Sequence, residues 1–173
     1  MLNDLTAEQV RELFNYDPSE GLLRWRGASG RYGRIPAGSP AGSYNTHEGY
    51  GTVTYNGTNY RTTRIIWVYM TGEWPPHQVD HKDRNVGNDK WDNLRLATGS
   101  QNKANCRKYR SKNSAGMPKG VQAVQKRRSI RYRAIATKDG VRQHLGYFDT
   151  PELAHAAYLK ASEELHGEFA AAT

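Results

Sequence analysis

Asp80 and His81 stand side by side, Asn93 follows the histidine by twelve positions, and Asn102 comes nine positions later. A carboxylate, an imidazole and two carboxamides in one short stretch suit a hard cation and a general base. Asp80 offers an anionic oxygen and Asn102 a neutral one. That donor set fits Mg²⁺, which keeps several waters and takes the rest of its shell from substrate phosphate. Histidine, with an unperturbed pKa of about 6.5, can take a proton from an attacking water, assistance typically worth about 10²–10⁴ in rate. Asn93 is placed to fix the tautomer of His81. Singly, these residues have a plainer explanation, because Asn and Asp are common loop and cap formers. The constellation at this spacing is what points to chemistry.

Gln78 to His81 reads as a short strand end, Lys82 to Asp92 as a polar loop rich in Asn, Asp and Gly, and Leu94 to Ala97 as a second strand. Thr98 and Gln101 then form a T-x-x-Q capping box that opens a helix, with Asn102 in its first turn. Neighbours on a regular strand point to opposite faces, so Asp80 and His81 share a site only at a distorted strand end, and that distortion is expected. Upstream, Thr6 and Gln9 form another capping box, which predicts a helix over Ala7 to Phe14. Asp17 to Gly21 is a turn into a strand over Leu22 to Trp25. The Gly- and Pro-rich stretch from Gly27 to Pro40 reads as a mobile loop. Tyr50 to Tyr60 alternates around Asn56-Gly57, a type I′ hairpin signal, and a helix follows over about Thr63 to Thr71 with Trp67 and Met70 toward the core.

The chain has 173 residues and a mean hydropathy of −0.88, which favours two small units with modest cores. Cys106 is the single cysteine, so neither an intrachain disulfide nor a Cys-based zinc knuckle can form. The N-terminal residues lack a basic-then-apolar signal, and the longest apolar run, Ile65 to Met70, is too short to span a bilayer. The expectation is a soluble, cytoplasmic protein with no membrane partner and no organic cofactor.

Charge is unevenly distributed. Residues 1–100 hold 11 Lys/Arg and 11 Asp/Glu, whereas 101–173 hold 14 and 6, which accounts for the whole net charge of +8. A polyanionic partner explains such a block, although charge runs often form only solvated surface. Cys106 to Lys119 is basic, free of acids and punctuated by Gly, Pro and Ser. It reads as a linker able to lie along a phosphate backbone through Arg107, Lys108, Arg110 and Lys112. From Gly120 the pattern becomes three strands, Val121 to Lys126, Ile130 to Thr137 and Arg142 to Phe148, followed by a helix capped by Thr150 with Pro151 at its first position. Leu153, Ala154, Ala157, Tyr158, Ala161 and Leu165 form the apolar stripe of that helix. On the second strand Tyr132, Ala134 and Ala136 share one face and Arg131 and Arg133 the other, while Arg142 and His144 alternate with Gln143 and Leu145 on the third.

The strand, loop, strand, helix order carrying DH, NLR and a helical Asn resembles the HNH nuclease family, whose ββα-metal fold hydrolyses DNA phosphodiesters. The resemblance implies that Asp80 and Asn102 are metal ligands for Mg²⁺, with Mn²⁺ as a substitute, that His81 is the general base and that Asn93 orients it. The third letter, often His, is Asn here, as in the homing-endonuclease branch. The segment from YDPSEG to GEWPP resembles what precedes this motif in phage and bacterial relatives, except that Thr63 stands where they commonly have His. The stretch KGVQAV…LGYFDT and its helix resembles the APETALA2-type DNA-binding domain, whose sheet lies in the major groove. That resemblance implies DNA contacts through Gln122, Arg131, Arg133, Arg142 and His144.

The expected architecture is α+β. A ββα-metal nuclease domain occupies residues 1–105, a basic linker 106–117, and a three-stranded antiparallel sheet packed on one helix 118–173. The expected function is a metal-dependent endonuclease of the homing type acting on double-stranded DNA, as a monomer, in the host cytoplasm if phage-encoded. A catalytically inactive DNA-binding regulator is the alternative. An RNA-binding module is the weaker rival, since it would want exposed stacking aromatics beside the basic strands.

Overall fold

Thr6 opens the first helix, α1 (Ala7–Leu13), with a complete capping box, its hydroxyl accepting from the Gln9 N–H while the Gln9 side chain accepts from the Thr6 N–H. The computed structural model describes residues 5–44, 49–106, 116–127 and 129–170. The chain divides into two compact units, Met1–Leu96 and Ala97–Thr173.

In the first unit, β1 (Phe14–Asp17) and β2 (Leu22–Trp25) form an antiparallel hairpin with Phe14 opposite Trp25. Asp17 shapes its turn, one carboxylate oxygen accepting from the Ser19 and Glu20 N–H groups at 2.9 and 3.1 Å. The stretch after β2 is tied down by isolated bridges between Arg24 and Pro40 and between Ser29 and Ile35, so the expected mobile loop is instead a pinned one. A second sheet has the order β3 (Ser43–Tyr44), β4 (Gly51–Tyr55), β5 (Thr58–Arg61), and Asn56 and Gly57 between the last two take φ of 47° and 77°, as a type I′ turn demands. Helix α2 (Thr62–Thr71) follows and ends on left-handed Gly72.

Its buried side chains Ile65, Ile66 and Val68 join Val10, Phe14, Val53 and Leu94 in one core, and burying a side chain the size of Phe14 contributes about 1.5–3 kcal/mol. Trp67 packs on Trp91 with ring centroids 5.1 Å apart, as its inward placement requires. Met70 does not point inward; at 36% exposure it lies on the open side of the last turn. Strands β6 (Gln78–His81) and β7 (Leu94–Ala97) form a further two-stranded sheet, and α3 (Gly99–Asn105) begins with the Thr98–Gln101 capping box.

In the second unit a three-stranded antiparallel sheet, ordered β8 (Val121–Lys126), β9 (Ser129–Lys138), β10 (Val141–Phe148) with β9 central, packs on α4 (Pro151–His166). The molecule is therefore α+β, with the ββα order and the sheet-on-helix unit that the sequence implies. Val121, Ala134, Ala154, Ala136, Tyr158 and Ala161 are the buried contacts. Leu153 is not among them. It is 55% exposed because it precedes Ala154 on a helix whose buried line continues through Tyr158, Ala161 and Ser162.

Gly120, at φ +78°, lies directly under Tyr158, and a Cβ there would run into the ring. Left-handed backbone costs a non-Gly residue about 1–2 kcal/mol and overpacking typically 1–3. Gly120→Ala should destabilise the protein by at least about 2 kcal/mol, read as a lower urea midpoint with unchanged m.

Candidate functional site

The adjacent residues at the end of β6 are both buried, Asp80 at 7% and His81 at 3% exposure. Asp80 Oδ2 accepts from Arg95 Nε on β7 at 3.1 Å, so the arginine of the NLR triplet grips the carboxylate. Both side chains of that pair are largely removed from water, where a charge-assisted bond is strong and loss of one partner is costly. His81 turns to a different partner. Its Nε2 lies 2.8 Å from Oδ1 of Asp89, itself 1% exposed, in the loop between the strands. Backbone pairing continues one residue further, the Lys82 N–H donating to the Asn93 carbonyl at 2.8 Å, and the two neighbouring side chains find separate partners, Arg95 and Asp89. The His81 ring also lies 6.5 Å from that of Tyr50, over which the Arg61 guanidinium sits at 4.5 Å.

Asn93 works on the loop. Its carboxamide nitrogen donates to Asp83 Oδ1 at 2.9 Å and to the Asn88 carbonyl at 2.8 Å, and its oxygen accepts from the Asp83 N–H at 3.0 Å. Both amide hydrogens and the oxygen are thereby engaged among the described residues, and the contact to His81 expected of Asn93 is made by Asp89 instead. Asp83 is the hub, accepting also from the Asn85 N–H at 2.8 Å and from Asn88 Nδ2 at 2.7 Å. Burial would push its carboxyl up, but the bonds from Asn88, Asn85 and Asn93, with the neighbouring His81, outweigh it and hold the carboxyl below the usual range.

Asn102 belongs to the second unit, in the first turn of α3, where its Oδ1 meets the Cys106 thiol at 3.8 Å, a weak contact. Among the described residues no three His, Cys, Asp or Glu side chains cluster to hold a metal. Asp80 and Asn102 each carry hard oxygen donors, the kind a hydrated divalent cation takes in preference to the nitrogen and sulfur ligands typical of zinc.

Cross-strand register puts Gln122 opposite Arg133, Arg133 opposite Tyr147, Ile135 opposite His144 and Thr137 opposite Arg142, and partners across a ladder share a face. Gln122, Arg131, Arg133, Arg142 and His144 thus lie together on the face opposite the buried Ala134 and Ala136. A bulge between His144 and Gly146 keeps Tyr147 on it too. Arg133 Nη2 donates to Gln122 Oε1 and Arg131 Nη1 to Asp149 Oδ1, both at 2.6 Å. Tyr147 and Lys126 are members of this face that sequence reading missed. Tyr147 is 39% exposed, with Lys126 Nζ 4.5 Å above its ring and His144 4.9 Å away. Strand alternation counted without the bulge gives the wrong side for Tyr147. Arg107, Lys108, Arg110 and Lys112 lie outside the described residues.

A family model described as HNH endonuclease matches residues 60–104. The chain is 38% identical over 121 residues to an uncharacterized HNH endonuclease, L560, of Acanthamoeba polyphaga mimivirus, covering 69% of this chain and 60% of that protein. It is 33% identical over 106 residues to protein 3.8 of Escherichia phage T7, covering 61% of this chain and 84% of that one. The chain therefore spans less than two thirds of the mimivirus protein. No solved structure matches. Among the described residues no helix is long and apolar enough to cross a membrane.

Because the Asp83 carboxyl is lowered on folding, its contribution is present above the ordinary carboxylate range and fades as pH falls through the folded value. Asp83→Asn should lower the thermal midpoint near neutrality, and the gap to wild type should close on acidification below about pH 4. Thermal melts of both proteins across pH check this.

Proposed function

We propose, from the match of residues 60–104 to the HNH endonuclease family, a metal-dependent DNA endonuclease of the homing type, working in the host cytoplasm as a monomer. In this reading residues 1–105 cut, 106–117 link, and 118–173 form an APETALA2-type domain that reads duplex DNA. The observation that carries it is a buried imidazole at a strand end, one residue from a buried carboxylate, inside the matched span.

His81 takes a proton from water as the water oxygen bonds to phosphorus. The P–O3′ bond breaks, and the departing oxygen takes its proton from solvent. Asp80 and Asn102 would hold Mg²⁺ or Mn²⁺, which when bound supplies Lewis-acid stabilisation of the phosphate charge. Arg95 keeps the Asp80 carboxylate oriented through its Nε contact. The basic, hydrogen-bonded face with Gln122, Arg131, Arg133, Arg142 and His144 supports sequence reading, since guanidinium groups favour bidentate contacts to guanine. The charge block after residue 100 supports phosphate contacts, those of Arg107, Lys108, Arg110 and Lys112 included.

Nicking of supercoiled plasmid, with and without Mg²⁺, tests the catalytic reading. Wild type should nick only with the ion, and His81→Ala should lose about 10²-fold or more in rate while binding DNA as before. A wild-type protein that binds DNA yet never nicks would favour the inactive regulator. For the second unit, replacing Arg131, Arg133 and Arg142 by Gln should flatten the dependence of log affinity on log salt by about 0.9 per lost phosphate contact and blur preference for the matched site. Binding titrations on matched and scrambled duplexes read both effects. Single-stranded RNA as competitor tests the rival that exposed Tyr147 favours.

A further inference from the structure

We propose that Asp89 is the positioning residue of His81, and that the β1–β2 hairpin, outside the matched span, sets Asp89. The inference rests on His81 being the general base and extends to what holds it. An ionised carboxylate only accepts, so the 2.8 Å contact from Oδ1 to Nε2 requires the proton of the neutral ring on Nε2 and puts the acceptor lone pair on Nδ1. The contact is buried on both sides, at 3% and 1% exposure, so it competes with little water and fixes the ring plane as well as the tautomer.

Asp89 is in turn braced from the N-terminal hairpin at three points. Tyr16 Oη on β1 donates to the Asp89 carbonyl at 2.7 Å in a buried bond. The Trp91 N–H donates to the Pro18 carbonyl in the β1–β2 turn at 3.2 Å. Gly21, at φ +76°, closes the turn so tightly on the loop that a Cβ would stand 2.6 Å from Lys90 N and 2.8 Å from the Asp89 carbonyl carbon. Burial first, and then the charges of Asp89, Asp17 and Asp92, push the Tyr16 phenol far up, so it remains a donor at any working pH. A loop position whose side chain meets the imidazole is thus tied by its own backbone to a second element, the arrangement a precise base requires. In the chemical step the proton leaves water for Nδ1.

The test begins on the unmodified protein without metal. Nitrogen NMR of the His81 ring should show the Nε2–H tautomer, and an Nδ1–H ring would overturn the proposal outright. Asp89→Ala should scramble that tautomer and lower single-turnover nicking by on the order of 10²-fold, with KM for plasmid unchanged. Asp89→Asn, whose carboxamide can turn either its oxygen or its NH₂ toward Nε2, should no longer enforce the tautomer and should nick more slowly than wild type although the side-chain shape is kept. Should Asp89→Ala fail to fold, Tyr16→Phe removes one brace and should lower the nicking rate without changing DNA affinity. Asp89→Ala folded and nicking at the wild-type rate, or Tyr16→Phe indistinguishable from wild type, defeats the proposal. His81→Ala separates the two readings: if it still cuts, the base assignment fails whatever the tautomer, and if it is dead while Asp89→Ala is fully active, only the positioning role fails.

Discussion

An imidazole and a carboxylate taken out of water together must satisfy each other, because a buried polar group left alone costs more than a paired one returns. The His81–Asp89 contact meets that constraint, and much of the first unit is arranged to keep it. The loop between β6 and β7 carries its own scaffold in Asp83, Asn85, Asn88 and Asn93, which hydrogen-bond to one another across it. The hairpin ahead of it supplies Tyr16, Pro18 and Gly21 as the outer wall. Loops that carry function are precise only when fixed by such a framework, and here it is made of hydrogen bonds on one side and a folded turn on the other.

The neighbouring Asp80–Arg95 pair obeys the same rule. The guanidinium neutralises part of the carboxylate, so neither charge is left alone away from water. Charge density on this unit is balanced, and the excess of cations lies in the other one. On the outer face of the β8–β9–β10 sheet, Gln122 accepts from Arg133 and Asp149 pairs with Arg131. A held guanidinium loses less side-chain entropy on binding than a free one, which favours selective over merely tight contacts.

The sequence by itself determined the local elements, because their signals are local. Capping boxes at Thr6 and Thr98, the Asn56-Gly57 turn and the strand pairs around residues 78–97 and 121–148 are each written within a few positions. It also determined which residues line each face of the central strand β9, since period-two alternation needs no tertiary information until a bulge interrupts it, as it does before Tyr147. The stretch from Asp80 to Asn102 stood out for the same reason, its residue types and spacing being local, and it lies inside the span that matches the HNH endonuclease model.

Tertiary structure decided the pairings. Asn93 and Asp89 lie four positions apart in one polar loop, and both could reach an imidazole in an extended sketch. Only the folded loop spends the Asn93 carboxamide on Asp83 and Asn88 and turns Asp89 inward. The brace from Tyr16 to Asp89 spans 73 residues of sequence, and no local pattern encodes a contact at that separation. Leu153 and Met70, apolar yet exposed, show the same limit: hydrophobic spacing gives a helix its stripe, but where that stripe ends depends on what packs against it.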